Sequence, residues 1–422
     1  MSEFDKIIGY ADIKDELIRF CDVLKNFKEY KRMGVEIPSG ILLYGEPGIG
    51  KTILAKGFIK ESEVKSFTIR KDKHSREFVN HIRNTFDKAK KEECAIVFLD
   101  DIDKFANEDE YHKDAEEYVV VQSCIDDCKG SNVFVLATAN NIYCLPNSLM
   151  RAGRFDKVIQ MTCPGGDDAK KIIKHFLSKK RVLGDIDIDD ISSFLVGHSC
   201  AELEMVINEA GIYAVFDKRA KIDQRDIIKA CMRLIFDAPE SVEYIDSNIL
   251  KKVAVHESGH AVISEILEPG SVNLISICGY SNTSGGITSV RKPEDYNFNV
   301  VAQEHEIIRS LGGKAATEII YGTFDLGCEG DLHKAFDLVT TFVDNYCAYG
   351  FDAFERGISS QYLLESKDRK VDKEMDRYYR KSKQIIAENR GFFDAMVQEL
   401  LKEKTLTKKQ IKSIRDSVVI RD

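Results

Sequence analysis

The chain has 422 residues, 43% of them apolar and 31% charged, and a net charge of −9. That length allows two or three domains of roughly 150 residues each, and the composition buries a core instead of leaving a disordered chain. The acidic balance argues against bulk binding to nucleic acid, which needs a positive field to displace counterions, and no apolar run approaches the ~20 residues that span a bilayer.

The N-terminus, MSEFDKIIGYADIKDEL, is charged and has no apolar segment of the secretory kind. The 11 cysteines show no paired spacing, so a reducing, intracellular setting is expected, with the cysteines as small buried hydrophobes. Cys124 and Cys128 stand one helical turn apart. A structural zinc needs four ligands, and no second pair lies nearby in sequence, so these two read as packing residues.

The first chemical motif follows a short apolar strand at Gly40 to Tyr44 and precedes a helical pattern. Gly45-Glu46-Pro47-Gly48-Ile49-Gly50-Lys51-Thr52 matches the complete phosphate-cradling loop. Its glycines let backbone N–H groups approach phosphates, Lys51 is placed to pair with the terminal phosphates, and Thr52 to ligate Mg²⁺. A second apolar strand, Ala95 to Leu99, ends in Asp100-Asp101-Ile102-Asp103. Asp100 is expected to act through Mg²⁺ and Asp101 to orient the attacking water. A third strand, Asn132 to Asn140, leads to Leu149-Met150-Arg151-Ala152-Gly153-Arg154-Phe155-Asp156.

At this point the sequence resembles the AAA+ ATPases. The resemblance implies that Asn140 senses the γ-phosphate and that Arg151 and Arg154 are fingers reaching a neighbouring subunit's nucleotide, which requires a ring. Arginines suit that task because phosphoryl transfer develops negative charge. The helical stretch opened by Gly197-His198-Ser199-Cys200-Ala201-Glu202-Leu203 looks like the small lid of that family.

The second motif is His256-Glu257-Ser258-Gly259-His260. Histidines four apart share one helix face and can reach one metal ion, with Glu257 beside it to take a proton from bound water. Ile249, Val253, His256, His260, Ile263 and Leu267 form one stripe at spacings of three and four, so a helix with that face buried is predicted. Zinc needs a third protein ligand. Ile263 stands where one common solution needs glycine, which leaves His305, Asp325, Glu329, Asp331 and His333 downstream as candidates.

The order of phosphate loop, paired arginines, helical lid and H-E-x-x-H resembles the FtsH family of ATP-dependent zinc proteases, from Phe4-Asp5-Lys6-Ile7-Ile8-Gly9 to the C-terminal helices. Leu311-Gly312-Gly313-Lys314-Ala315-Ala316-Thr317-Glu318 matches a family segment. The resemblance implies an aspartate ligand just beyond it, which falls on Asp331, with His333 as second choice. Gly330 stands where the family has asparagine, and a stripe of Leu332, Phe336, Val339 and Val343 puts Asp331 in the first turn of a helix. Gly285 to Val290 reads as an edge strand, and in the family such a strand pairs with the substrate backbone.

The resemblance implies an α/β AAA+ ATPase domain with a parallel sheet and flanking helices (1–165), a helical lid (166–240) and a mainly α-helical zinc peptidase domain (241–422). It implies one Zn²⁺ per subunit, ATP with Mg²⁺, a homo-hexameric ring, unfolded or tagged protein substrates, and a cytoplasmic location, or a membrane-associated one where an anchor lies outside this chain. Three features depart from the family. No transmembrane segment precedes Phe4. The stretch Arg70 to Asn80 is charged and lacks the aromatic-glycine tip that grips substrate, with Phe78 its sole aromatic. The family's Asp-Glu pair is Asp100-Asp101 here, so slower ATP hydrolysis is expected. The competing expectations are a remodelling ATPase or scaffold with an idle peptidase, and an ATP-independent peptidase with a degenerate motor.

Overall fold

The computed structural model describes residues 2–36, 38–72, 74–106, 115–151, 153–238, 246–278, 285–293, 295–351 and 360–421. The chain forms two compact units, one of Met1–Arg181 with Leu195–Asn208, the other of Val182–Phe194 with Glu209–Asp422. The helices Gly166–Ser178, Ile188–Leu195, Cys200–Phe216 and Gln224–Leu234 occupy the stretch expected as a lid and are shared between the two units. The expected boundary at 240/241 lies outside the described residues.

The first unit is built on a five-stranded parallel sheet of β1 (Gly40–Tyr44), β2 (Lys65–Ile69), β3 (Ala95–Leu99), β4 (Val133–Ala139) and β5 (Lys157–Gln160), in the order β2-β3-β4-β1-β5. β3 and β4 are buried at every position. Unbroken apolar runs such as AIVFL and VFVLATA are what strands covered on both faces require. One face packs Phe78, Phe86, Val97 and Val121, the other Phe58, Phe98, Phe134 and Leu136. Cys124 and Cys128 are buried in the first of these clusters. Phe78 lies there too, with its ring edge-on to Phe105 at 5.2 Å. It serves the core and is not available to grip a substrate. The functional loops leave the carboxyl ends of β1, β3 and β4, the usual place for ligands in open parallel sheets.

The second unit surrounds the helix Ser247–Leu267. Every residue from Val253 to Glu265 is buried, whereas Ile249 is exposed. The predicted one-sided stripe is therefore a helix buried all round, as expected of a helix at the centre of a core. It packs on the helices Gly312–Tyr321 and Arg390–Glu403 and beside a sheet of β6 (Val272–Ser276), β7 (Ile287–Val290) and β8 (Thr405–Thr407). The order β7-β6-β8, antiparallel throughout, leaves β7 at an edge, as the sequence predicts. On the helix Glu329–Asp344 the core face is Ala335, Val339, Phe342 and Val343, and the predicted stripe member Phe336 is 40% exposed.

Contact between two helices fixes the central one. A Cβ on Gly259 would lie 2.7 Å from the Cβ of Ala316 and closer still to the Gly312 carbonyl. A methyl group at this point forces the helices apart. Gly259→Ala should destabilise the second unit by about 1–3 kcal/mol, read as a lower urea midpoint. Gly391→Ala, at a helical position where no described residue lies within 4 Å of the added Cβ, should stabilise by about 0.5–1 kcal/mol.

Candidate functional sites

In the phosphate loop Gly45, Gly48 and Gly50 all have positive φ, at 148°, 79° and 100°. Side chains rarely adopt that backbone, so glycine is needed for the loop to turn its amides inward. Lys51 opens the following helix and is buried, and its ammonium donates to the carbonyls of Gly45 (2.7 Å) and Glu46 (2.6 Å). Burial pulls its pKa down, against the charges of Asp101, Asp103 and Glu46. A buried ammonium held by loop carbonyls suits an incoming phosphate, and no described residue lies within 4 Å of a Cβ placed on Gly50. These features fit a nucleotide's phosphates. The N–H of Ala201 donates to the Gly48 carbonyl (3.1 Å), so the start of the Cys200–Phe216 helix rests on the loop.

The carboxylates at the end of β3 are held by hydroxyls. Thr52 Oγ1 donates to Asp100 Oδ1 (3.1 Å), Thr138 Oγ1 donates to the same oxygen (3.0 Å), and the Asp101 N–H donates to Thr138 (3.0 Å). Thr52 and Asp100 thus face each other, as two ligands of one Mg²⁺ must. Asp101 has φ 54° and its carboxylate accepts from Lys104 (2.6 Å). Asp103 Oδ2 accepts from the N–H groups of Asn140 (3.1 Å) and Asn141 (3.2 Å), fixing the end of β4. Thr138 and Asp103 are not among the residues to which the sequence assigns a role. Neither carries a signal in linear spacing, since each acts across the sheet.

The two arginines differ. Arg154 makes two parallel hydrogen bonds to Asp126 (2.9 and 2.6 Å) and a third to the Ser148 carbonyl, with its side chain 12% exposed. The Arg154 guanidinium holds the Asp126 carboxyl at about 2. Arg151 is exposed.

In the second unit His256, Glu257 and His260 project from the central helix, and Asp331 from the first turn of Glu329–Asp344. One ligand atom from each of His256, His260 and Asp331 lies within 4.8 Å of the others, the one such group among the described residues. Asp331 Oδ2 is 3.2 Å from Nε2 of both histidines, and the two Nε2 atoms are 3.0 Å apart. His260 Nδ1 lies 2.7 Å from the Arg309 carbonyl. A carbonyl only accepts, so Nδ1 carries a proton and Nε2 is the nitrogen left to face a cation, the outer-shell arrangement typical of a metal-bound histidine. Burial opposes charge on His260, but Asp331, with Glu257 and the Arg309 carbonyl, raises its pKa to about 9. Burial also acts on Asp331, and the two histidines outweigh it and lower its pKa. The pocket is organised for positive charge, and two nitrogens with one carboxylate oxygen match zinc's preferences.

The other candidates do not join the cluster. His305 pairs with Glu268 (2.9 Å), and His333, 77% exposed, points to solvent near Glu329. Asp325 caps the short helical turn before Glu329 through the Gly327 N–H (3.1 Å). Glu257 accepts from Thr288 Oγ1 on β7 (2.6 Å), which orients its carboxylate beside the histidines. Thr288 was not singled out from sequence. The three ligand atoms and Glu257 line one cleft of 940 Å³, with β7 along its wall. Gly313 borders His256 so closely that any Cβ would strike the imidazole.

A phosphate-binding loop and a cluster of two histidines and one aspartate thus stand on the same chain. Residues 41–163 match the ATPase family associated with various cellular activities, and residues 243–355 match peptidase family M41. The chain is FtsH-like: over nearly its whole length it is similar to the ATP-dependent zinc metalloproteases of that name. It is 30% identical to the Ureaplasma parvum ATP-dependent zinc metalloprotease FtsH over 97% of this chain and 60% of that protein. It is 28% identical to FtsH 2 of Thermoanaerobacter sp. (strain X514), over 97% of this chain and 82% of that one, and 30% identical to FtsH of Mycoplasma genitalium, over 97% and 62%. The chain thus spans about three-fifths of the length of the Ureaplasma and Mycoplasma proteins. No helix of the described residues is long and apolar enough to cross a membrane.

Asp331→Asn should weaken zinc binding by more than about 100-fold, beyond the usual cost of an outer-shell change, while His333→Ala leaves it unchanged; zinc competition with a chromogenic chelator reads both. Arg154→Ala should destabilise the first unit by about 1–2 kcal/mol through loss of a charged hydrogen-bonded pair. Arg151→Ala should leave thermal unfolding unchanged and lower ATP turnover.

Proposed function

We propose that this protein is an ATP-dependent zinc endopeptidase acting on unfolded or tagged proteins as a homo-hexameric ring. The domain limits that go with this reading are 1–165 for the nucleotide-binding part, 166–240 for the lid and 241–422 for the peptidase. The observation that carries the proposal is the meeting of His256, His260 and Asp331 in one cleft with Glu257 oriented alongside.

In this reading His256, His260 and Asp331 would hold zinc, whose chemistry there would be to polarise the scissile carbonyl and acidify water. Glu257 receives the water's proton at a carboxylate oxygen and delivers it to the departing amine. Thr288 keeps that carboxylate aimed, and the free edge of β7 pairs with the substrate backbone, gripping any extended peptide without demanding a sequence. In the first unit Gly45 to Thr52 bind the phosphates, Thr52 and Asp100 hold Mg²⁺, and Asp101 positions water. Asn140 senses the terminal phosphate. The exposed Arg151 acts on the neighbouring subunit's nucleotide, and Arg154, for which the same role is proposed, must first leave Asp126.

Glu257→Gln should lower cleavage of an unfolded protein such as casein by about 10³-fold, within the range of a lost general base. Zinc content and ATP turnover should stay at the parent level. Undiminished cleavage removes Glu257 from the reaction.

A further inference from the structure

Beyond the zinc ligands, the cleft wall carries a second cluster of charges that the hydrolytic chemistry does not use. Its centre is Glu306, 1% exposed, on the helix Val300–Ser310. Three cations converge on that single carboxylate. Lys334 Nζ is 2.5 Å from Oε1, Arg309 Nη2 is 3.0 Å from Oε2, and Lys292 Nζ is 3.5 Å from Oε2. Three cations against one carboxylate leave a surplus of two positive charges. Burial pushes the Glu306 carboxyl up, but Lys334, Arg309 and Lys292 together hold it at about 2. One partner is enough to keep a buried carboxylate ionised, and Arg309, with its side chain 11% exposed, already provides it.

The two lysines behave differently from the arginine. Their side chains are each 52% exposed, and both line the same cleft as the histidines. The other carboxylates of the cleft are engaged elsewhere: Glu257 with Thr288, Asp331 with the two imidazoles, and Asp325 with the Gly327 N–H.

The elements tie the cluster to the reaction centre. Lys334 stands one helical turn after Asp331 on the same helix, so the two share a face. Arg309 is the residue whose carbonyl fixes His260. Lys292 follows β7 by two residues, and the chain between is anchored where the Arg291 N–H donates to the Ser271 carbonyl (2.8 Å). A peptide extended along β7 advances ~3.3 Å per residue, so a side chain within a few positions of the scissile bond comes beside Lys292 and Lys334.

We propose that Lys292 and Lys334, mounted on Glu306, form a carboxylate-binding subsite of the cleft that selects peptide substrates with an acidic side chain close to the scissile bond. This rests on the peptidase reading, and it supplies the sequence preference that backbone pairing along β7 lacks. Charge-assisted contacts of this kind are among the stronger polar ones, and tenfold in affinity or rate is their natural scale.

The test uses the full chain with zinc and a set of fluorescein-labelled peptides in which glutamate or glutamine is placed at each position around one cleavage site. Each peptide is made with a free and with an amidated C-terminus. Binding by fluorescence anisotropy and cleavage by chromatography are measured together. At one position, the glutamate peptide should bind and be cleaved about tenfold better than its glutamine twin, and this preference should weaken with added salt. In Lys292→Gln with Lys334→Gln the ratio should fall to about one. In Lys334→Arg it should persist, which separates lost charge from lost packing, and thermal unfolding of each variant checks the fold. Equal binding of the twins at every position overturns the proposal, as does a preference the double variant retains. A preference that follows the free C-terminus overturns the side-chain assignment in favour of a terminal carboxylate. A binding preference without cleavage of any peptide upholds the subsite and overturns the peptidase reading instead.

Discussion

Two imidazole nitrogens 3.0 Å apart, each 3.2 Å from one carboxylate oxygen, set the constraint on which the second unit depends. With the His260 Nδ1 proton committed to the Arg309 carbonyl, the facing lone pairs repel unless a proton or a cation lies between them. Buried charge must be paired, so this pocket is stable only with something positive at its centre. The surrounding architecture keeps that centre in place. The central helix is buried on every side, Gly259 lets the helix Gly312–Tyr321 approach it closely, and Asp331 arrives from the first turn of a third helix.

The first unit meets a related demand with opposite charge. Lys51 sits among carbonyls, ready for phosphate. Asp100 collects two hydroxyls at the end of β3. Parallel strands bring these groups together because their carboxyl ends all open on one side of the sheet. Both units therefore place polar groups on rigid elements and leave the last charge to a ligand, which is how a preorganised site differs from a structural ion pair.

Much of this was legible in the sequence, and the reason is locality. The phosphate loop and the H-E-x-x-H helix are contiguous, so spacing alone names Lys51, Thr52, His256, Glu257 and His260. The strands β1, β3 and β4 were legible because buried parallel strands need unbroken apolar runs. Asp331 is 71 residues beyond His260, and only the family resemblance separated it from His333; the fold separates them because one faces the histidines and the other faces solvent. Thr288, the Arg309 carbonyl and the Glu306 cluster left no trace in the sequence, since each works through a contact between distant elements. The predicted stripe on the central helix was too narrow: Gly259 and Ser264 are buried as deeply as the apolar residues, because Gly259 gives close contact with the neighbouring helix and Ser264 bonds back to the His260 carbonyl. Phe336 failed as a core residue for the converse reason, since the shorter Ala335 takes the inward place.

The central claim is a single zinc held by two histidines and one aspartate. X-ray absorption at the zinc edge, on the full chain loaded with one equivalent of zinc, tests it most directly. The expected result is a four-coordinate nitrogen and oxygen shell at about 2.0–2.1 Å with the outer-shell signature of two imidazoles, and loss of that signature in His256→Ala. A shell of sulfur at about 2.3 Å, or a spectrum unchanged by His256→Ala, would contradict it.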